Sequence, residues 1–131
     1  MKASNILIKI EELREYKGGD YGTIPILSKN IDEAILFIKE LDKLDIAMPD
    51  VFPYSGGTGL QMEWETKKIY LEIDFDYPVN DTIYSAYIHI KGVGIDTSMS
   101  FEHRKDAANF VKFISTQYKL KRKSKKVRDE L

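Results

Sequence analysis

The segment LQMEWETKKIYLEIDF, Leu60 to Phe75, alternates apolar and polar side chains on either side of a short polar break. Leu60, Met62 and Trp64 alternate with Gln61, Glu63 and Glu65, and Ile69, Leu71, Ile73 and Phe75 alternate with Tyr70, Glu72 and Asp74. A period of two sends successive side chains to opposite faces of an extended chain, so the segment is expected to form a hairpin with one apolar and one acidic face. Closing it over Thr66 and Lys67 pairs Trp64 with Ile69, Met62 with Leu71, Leu60 with Ile73 and Glu65 with Lys68, a register that sets no like charges directly opposite. The rest of the fold has to cover the apolar face of this hairpin.

Before the hairpin the period is helical. In SNILIKIEELREY, Ser4 stands at a capping position and Ile6, Ile10 and Leu13 recur at helical spacing, which predicts a short helix; the alternation in NILIKI also suits a strand. KGGDYGTIPI, with three glycines and a proline, breaks both periods and reads as an exposed connection. Asn30 and Glu33 have capping-box spacing, and Ile31, Ala34, Ile35, Ile38 and Leu41 form one apolar stripe that predicts a helix ending near Leu44, ahead of Pro49. After the hairpin, YPVND reads as a turn, and TIYSAYIHI and VGIDTSM read as two more strands around Gly92. Ser98 or Ser100 is placed to cap a last helix with Ala107, Val111, Ile114 and Tyr118 on its inner stripe. Helices before and after an unbroken run of strands predict an α+β fold. The expected architecture is a four-stranded antiparallel sheet, with N-terminal helices and a C-terminal helix packed mainly on one face, in a single domain over residues 1–118.

Composition bounds the function classes. With 131 residues, 43% hydrophobic and 31% charged, the chain has the balance of one globular domain, and no apolar run approaches the about 20 residues that span a bilayer. Lys9, Glu11 and Glu12 interrupt any signal-peptide pattern, and the chain has no cysteine, so a cytoplasmic protein with no membrane partner is expected. The charge is uneven: residues 1–118 carry 13 Lys+Arg against 19 Asp+Glu, whereas residues 119–131 carry 7 against 2. Lys121, Arg122, Lys123, Lys125 and Lys126 of this basic tail can meet a polyanion, but the acidic body opposes it and no aromatic residue follows Tyr118 to stack on bases. Weak, sequence-independent contact with nucleic acid is the most this pattern supports.

The glycine cluster in PYSGGTGL precedes a strand rather than a helix, so it lacks the helix-terminal amides of a phosphate loop. Gly56, Gly57 and Gly59 read as positive-φ positions or a bulge that turns the chain into its strand, and with Tyr54 the same loop also reads as a recognition loop. Trp64 shares a strand face with Leu60 and Met62 and is expected in the core. Glu63, Glu72 and Asp74 share the opposite face, where carboxylates either bind a hard cation or form a solvated polar surface; no histidine joins them, and no metal is assigned. His89 and His103 fall on different elements, and no serine motif accompanies either, so no catalytic residue and no cofactor are assigned.

Tyr21, Gly22, Pro25 and Ile26 before the second helix, and Pro53, Gly59, Leu60, Met62, Glu63 and Trp64 at the hairpin, match two motifs. These are Trp-Asp-Gly-Tyr-Gly-Ala-x-Pro-Ile ahead of a helix, and Pro-Thr-Pro-Asp-Gly-Gly-Ile-x-Leu-Glu-Trp leading into a hairpin. Through them about half the chain resembles a group of small, mostly uncharacterised bacterial proteins. Tyr16 stands at the Trp position, Thr23 at the Ala and Thr58 at one Gly, and the loop is one residue longer. The resemblance implies an accessory gene in a toxin–antitoxin or phage-defence setting. The resulting expectation is a noncatalytic protein that binds and modulates another protein, antitoxin-like or an anti-defence inhibitor, with Tyr21, Tyr54, Gly56, Gly57, Glu63, Tyr70 and Glu72 as binding candidates. The alternative is a small-ligand binder that uses the glycine loop and the acidic hairpin face.

Overall fold

A computed structural model describes residues 2–15, 25–53, 59–77 and 84–120 of the chain. The alternating segment forms two central strands, and the helical stripes form helices. In chain order the elements are α1 (Ala3–Glu12), continued by a 3-10 turn (Leu13–Glu15), α2 (Ser28–Lys43), β1 (Asp50–Pro53), β2 (Leu60–Glu65), β3 (Ile69–Phe75), β4 (Tyr84–Ile90), β5 (Ile95–Phe101) and α3 (Arg104–Tyr118). The fold is α+β, and the sheet has five antiparallel strands in the order β1-β2-β3-β4-β5, not four. The unforeseen strand is β1. It has only four residues, of which Val51 alone is buried, so it shows no alternation long enough to read. Pro53 is tolerated there because β1 is an edge strand whose outer side needs no donor.

The strands bury one face against the helices. Val51, the Leu60, Met62 and Trp64 row, the Ile69, Leu71, Ile73 and Phe75 row, and Tyr84, Ala86 and Ile88 join the inner stripes of the three helices in one core. Its centre is aromatic: Phe37 of α2, Phe75 of β3 and Tyr84 of β4 lie with ring centroids 5.2–5.6 Å apart in tilted and edge-on arrangements. The Tyr84 hydroxyl donates to Glu33 of α2, and Arg104 Nε of α3 donates to the same carboxylate at 2.7 Å. One acid thereby links two helices and a strand.

The helix ends differ from the sequence reading. Ser4, Asn30, Ser98 and Ser100 do not stand at the N-cap positions, which are Lys2, Leu27 and His103, and none of these three makes a side-chain cap bond. Asn30 is instead fully buried, donating its amide to Tyr77 O at 2.9 Å and accepting from Tyr77 N at 3.1 Å, so it pins the chain leaving β3 to α2. At the other end of α2, Asp45 takes a left-handed φ of 56°, and Ile46 N and Asp45 N bond back to Leu41 O and Asp42 O. That paired pattern closes a helix in a Schellman motif, with Asp in the place glycine usually takes.

The β2–β3 register also differs. Leu60 lies opposite Phe75, Met62 opposite Ile73 and Trp64 opposite Leu71, a displacement of two residues from the tight turn expected over Thr66 and Lys67. Thr66 is the reason. Its hydroxyl accepts from Lys68 N and Ile69 N at 3.1 and 3.2 Å, and its own N–H reaches Ile69 O at 2.9 Å, a wider turn stabilised by its own side chain. Lys91 completes it, donating to Thr66 O at 2.8 Å and to Glu65 at 2.7 Å. A shift of two keeps every side chain on its face, so the core is unchanged while the outer face acquires new neighbours.

Candidate binding face

All three helices pack on the inner side of the sheet, so among the described residues the outer side is formed by the strands. Strand register arranges this face in three cross-strand rows: Phe52, Gln61, Asp74, Ser85 and Ser100; then Asp50, Glu63, Glu72, Tyr87 and Ser98; then Glu65, Tyr70, His89 and Asp96. The rows combine carboxylates, two tyrosines and a line of serine hydroxyls. Glu63, Tyr70 and Glu72, expected from the sequence as binding candidates, do come together here. Tyr21, Tyr54, Gly56 and Gly57 lie outside the described residues, as do the basic positions Lys121, Arg122, Lys123, Lys125 and Lys126.

The true register sets Glu63 directly opposite Glu72, an arrangement that normally destabilises a sheet. Neighbouring donors offset it. The Tyr70 hydroxyl lies 2.7 Å from Glu72 and 2.9 Å from Glu63, where its one proton serves either carboxylate, and the Gln61 amide donates to Glu72 at 3.1 Å. Burial, and then hydrogen bonds to Glu72 and Glu63, raise the Tyr70 pKa well above the ordinary phenol value, keeping it a donor. At the far corner, Asp96 accepts from the Tyr87 hydroxyl at 2.8 Å and pairs with His89 Nδ1, and these hydrogen bonds hold its pKa below the usual carboxylate range.

Asp74 is the most unusual group on this face. It is only 8% exposed, and among the described residues its Oδ1 has no hydrogen-bond partner. Burial above all, then a hydrogen bond to Glu72 and the negative charges of Glu72 and Asp76, push its pKa up to about 8. The folded protein thus holds a proton at neutral pH that the unfolded chain, with an ordinary aspartate, releases. Stability from this site is fully present below about pH 4, declines as pH rises and is lost by about pH 8. Asp74→Asn, which mimics the protonated acid, is expected to abolish this decline. Thermal unfolding of the two proteins between pH 4 and 9 should show the variant gaining on the parent up to pH 8 by about 2 kcal/mol, below the limit of about 1.4 kcal/mol per pH unit. Parallel curves would show that Asp74 ionises normally in the fold.

Beside Asp74 lies a cavity of about 300 Å³ whose polar lining is Asp74, Ser85, Tyr87, Ser98 and Ser100. Sequence reading found the carboxylates but not this cavity. Alternation in TIYSAYIHI already places Ser85 and Tyr87 on one face; what the sequence lacked was the register that brings Asp74, Ser85 and Ser100 into a row. Among the described residues no three His, Asp or Glu side chains converge in a way that could hold a metal ion. Nor does any described helix have the length and apolarity to cross a membrane.

No protein-family model, curated protein or solved structure matches the chain. Its class is therefore set by its own geometry: an α+β domain in which three helices cover one side of a five-stranded antiparallel sheet and an acidic, tyrosine-bearing face forms the other.

Proposed function

We propose that this protein is a noncatalytic binding module that modulates another protein by docking a basic segment of it on the outer face of the sheet. One observation carries the reading. The face presents Glu63 and Glu72 beside Tyr70 and Tyr87, while among the described basic groups at its margin Lys9 lies over the Phe52 ring and His89 and Lys91 are engaged by Asp96 and Glu65. Charge complementarity therefore selects a Lys- or Arg-bearing partner, and the tyrosines offer apolar contact at small entropic cost. The resemblance to accessory proteins of toxin–antitoxin or phage-defence settings supports a partner that is modulated rather than a substrate that is turned over. A small-ligand binder is the second reading, favoured by the cavity beside Asp74.

The test is titration of the labelled full-length protein with Lys/Arg-rich, neutral and acidic peptides of equal length, followed by amide shifts. Basic peptides should perturb β2 to β5, bind more weakly as salt rises, and lose roughly tenfold in affinity to a Glu63→Gln, Glu72→Gln double variant, since each pair is worth up to about 1 kcal/mol. Equal binding of neutral or acidic peptides, or shifts confined to the helices, would overturn the reading. So would binding of basic peptides that arises only after deletion of residues 121–131, which would assign the face to the chain's own basic tail.

A further inference from the structure

We infer that the cavity beside Asp74 is a receptor for a single organic cation, the ammonium or guanidinium terminus of one basic side chain on the docked partner. The inference rests on the binding reading above and names the subsite that anchors it. Three properties of the cavity converge on that occupant. Its polar lining contains one carboxyl, three serine hydroxyls and the hydroxyl-bearing ring of Tyr87, with no cationic side chain, so an anion has nothing to pair with. Its volume of about 300 Å³ lies at the low end of ligand pockets, suited to one long side chain rather than a nucleotide or a large cofactor. Its acid is held in place but incompletely bonded: Asp74 is more than nine-tenths buried and its Oδ1 lacks a hydrogen-bond partner among the described residues.

A cation in this cavity pairs with the Asp74 side chain that lines it. Its N–H groups donate to Asp74 and to the hydroxyls of Ser85, Ser98 and Ser100, with Tyr87 completing the wall. A metal ion is disfavoured because, among the described residues, carboxylates and imidazoles do not converge in the threes a metal needs. The groups facing Asp74 define the proton balance on binding. Glu72 and Asp76 of its own strand and the segment just beyond add negative charge, and Gln61 of β2, Ser85 of β4 and Ser100 of β5 are neutral. Tyr87 keeps its proton, since its hydrogen bond to Asp96 raises its pKa. A cation arriving at neutral pH therefore meets a protonated Asp74, displaces that proton to solvent and pairs with the carboxylate left behind. Binding should strengthen as pH rises from 6 to 8.

The experiment uses the full chain with N-acetyl-arginine amide, N-acetyl-lysine amide and N-acetyl-citrulline amide, the last a neutral isostere of the first. Amide shifts locate binding, and calorimetry in buffers of different ionisation enthalpy counts protons. The two cations are expected to perturb residues 74, 85, 87, 98 and 100, release a fraction of one proton at pH 7, and lose at least tenfold in affinity in Asp74→Asn. Citrulline should bind at least tenfold more weakly than arginine. Equal binding of citrulline, affinity indifferent to Asp74→Asn in a folded variant, or displacement of the probe by magnesium or calcium would each overturn the inference. If basic peptides bind the face yet Asp74→Asn leaves them unaffected, the cavity assignment fails and the docking face stands. If the single cations bind in the cavity and basic peptides bind no more tightly than they do, the docking face fails and the cavity is a small-amine site.

Discussion

Trp64→Ala is expected to lower the unfolding free energy by about 3–5 kcal/mol, the range for removing a large buried aromatic side chain. Trp64 is 5% exposed, lies in the inner row with Leu60 and Met62, and donates from Nε1 to Ala47 O at 2.7 Å. That bond joins β2 to the connection between α2 and β1, so truncation removes ring packing and also leaves a buried carbonyl without its donor. Trp64→Phe weights the two losses differently, because it keeps most of the apolar volume while forfeiting the donor; it should cost roughly 1–2 kcal/mol. Trp64 is the only tryptophan, so denaturant titrations of the variants are read by far-ultraviolet circular dichroism. A midpoint unchanged by Trp64→Ala would place the indole at the surface.

Gly59→Ala is expected to be nearly as damaging for a different reason. A Cβ on Gly59 would sit 2.0 Å from Phe75 O and 2.9 Å from Asp76 Cα, backbone atoms at the end of β3 and just beyond it that cannot swing aside. The pairing of Leu60 with Phe75 would have to open, with a loss of about 3 kcal/mol or more and a fall in melting temperature of roughly 10 °C. Gly92 and Gly94 provide the contrast. They have positive φ values of 90° and 67° and open space around them, so alanine there meets only the left-handed penalty of about 1–2 kcal/mol. Gly59→Ala matching Gly92→Ala in stability would refute close approach as the role of Gly59.

Gly59 also shows where the sequence could be read and where it could not. Gly56, Gly57 and Gly59 were expected to supply positive-φ positions or a bulge; Gly56 and Gly57 lie outside the described residues, while Gly59 is absent from the positive-φ positions and is required by the proximity of another backbone segment, a tertiary fact that local composition does not carry. Periodicity was more informative. The stripes of α2 and α3 and the alternation of β2, β3 and β4 named most of the core, because burial on one face imposes its period directly on the residues. Caps were misread since Asn30 and Ser100 satisfy spacing rules equally well as a buried tie to Tyr77 and as a strand residue. β1 escaped notice because four residues cannot establish a period. On the candidate face, Glu63, Tyr70 and Glu72 were legible as a set, whereas the row of Asp74, Ser85 and Ser100 depends on registers fixed by turns rather than by apolar pattern.

The Thr66 turn consequently separates how this protein folds from what it can recognise. A slip of two residues between β2 and β3 preserves the phase of both strands, so the same side chains remain in the core, but it reassigns every partner on the outer side. Insertions or deletions of residue pairs in such turns offer a lineage a way to re-deal its outer surface while inheriting its interior intact. Divergence in a domain of this kind can then accumulate in turn length and outer rows, and two descendants could keep the same scaffold while sharing neither ligand nor partner.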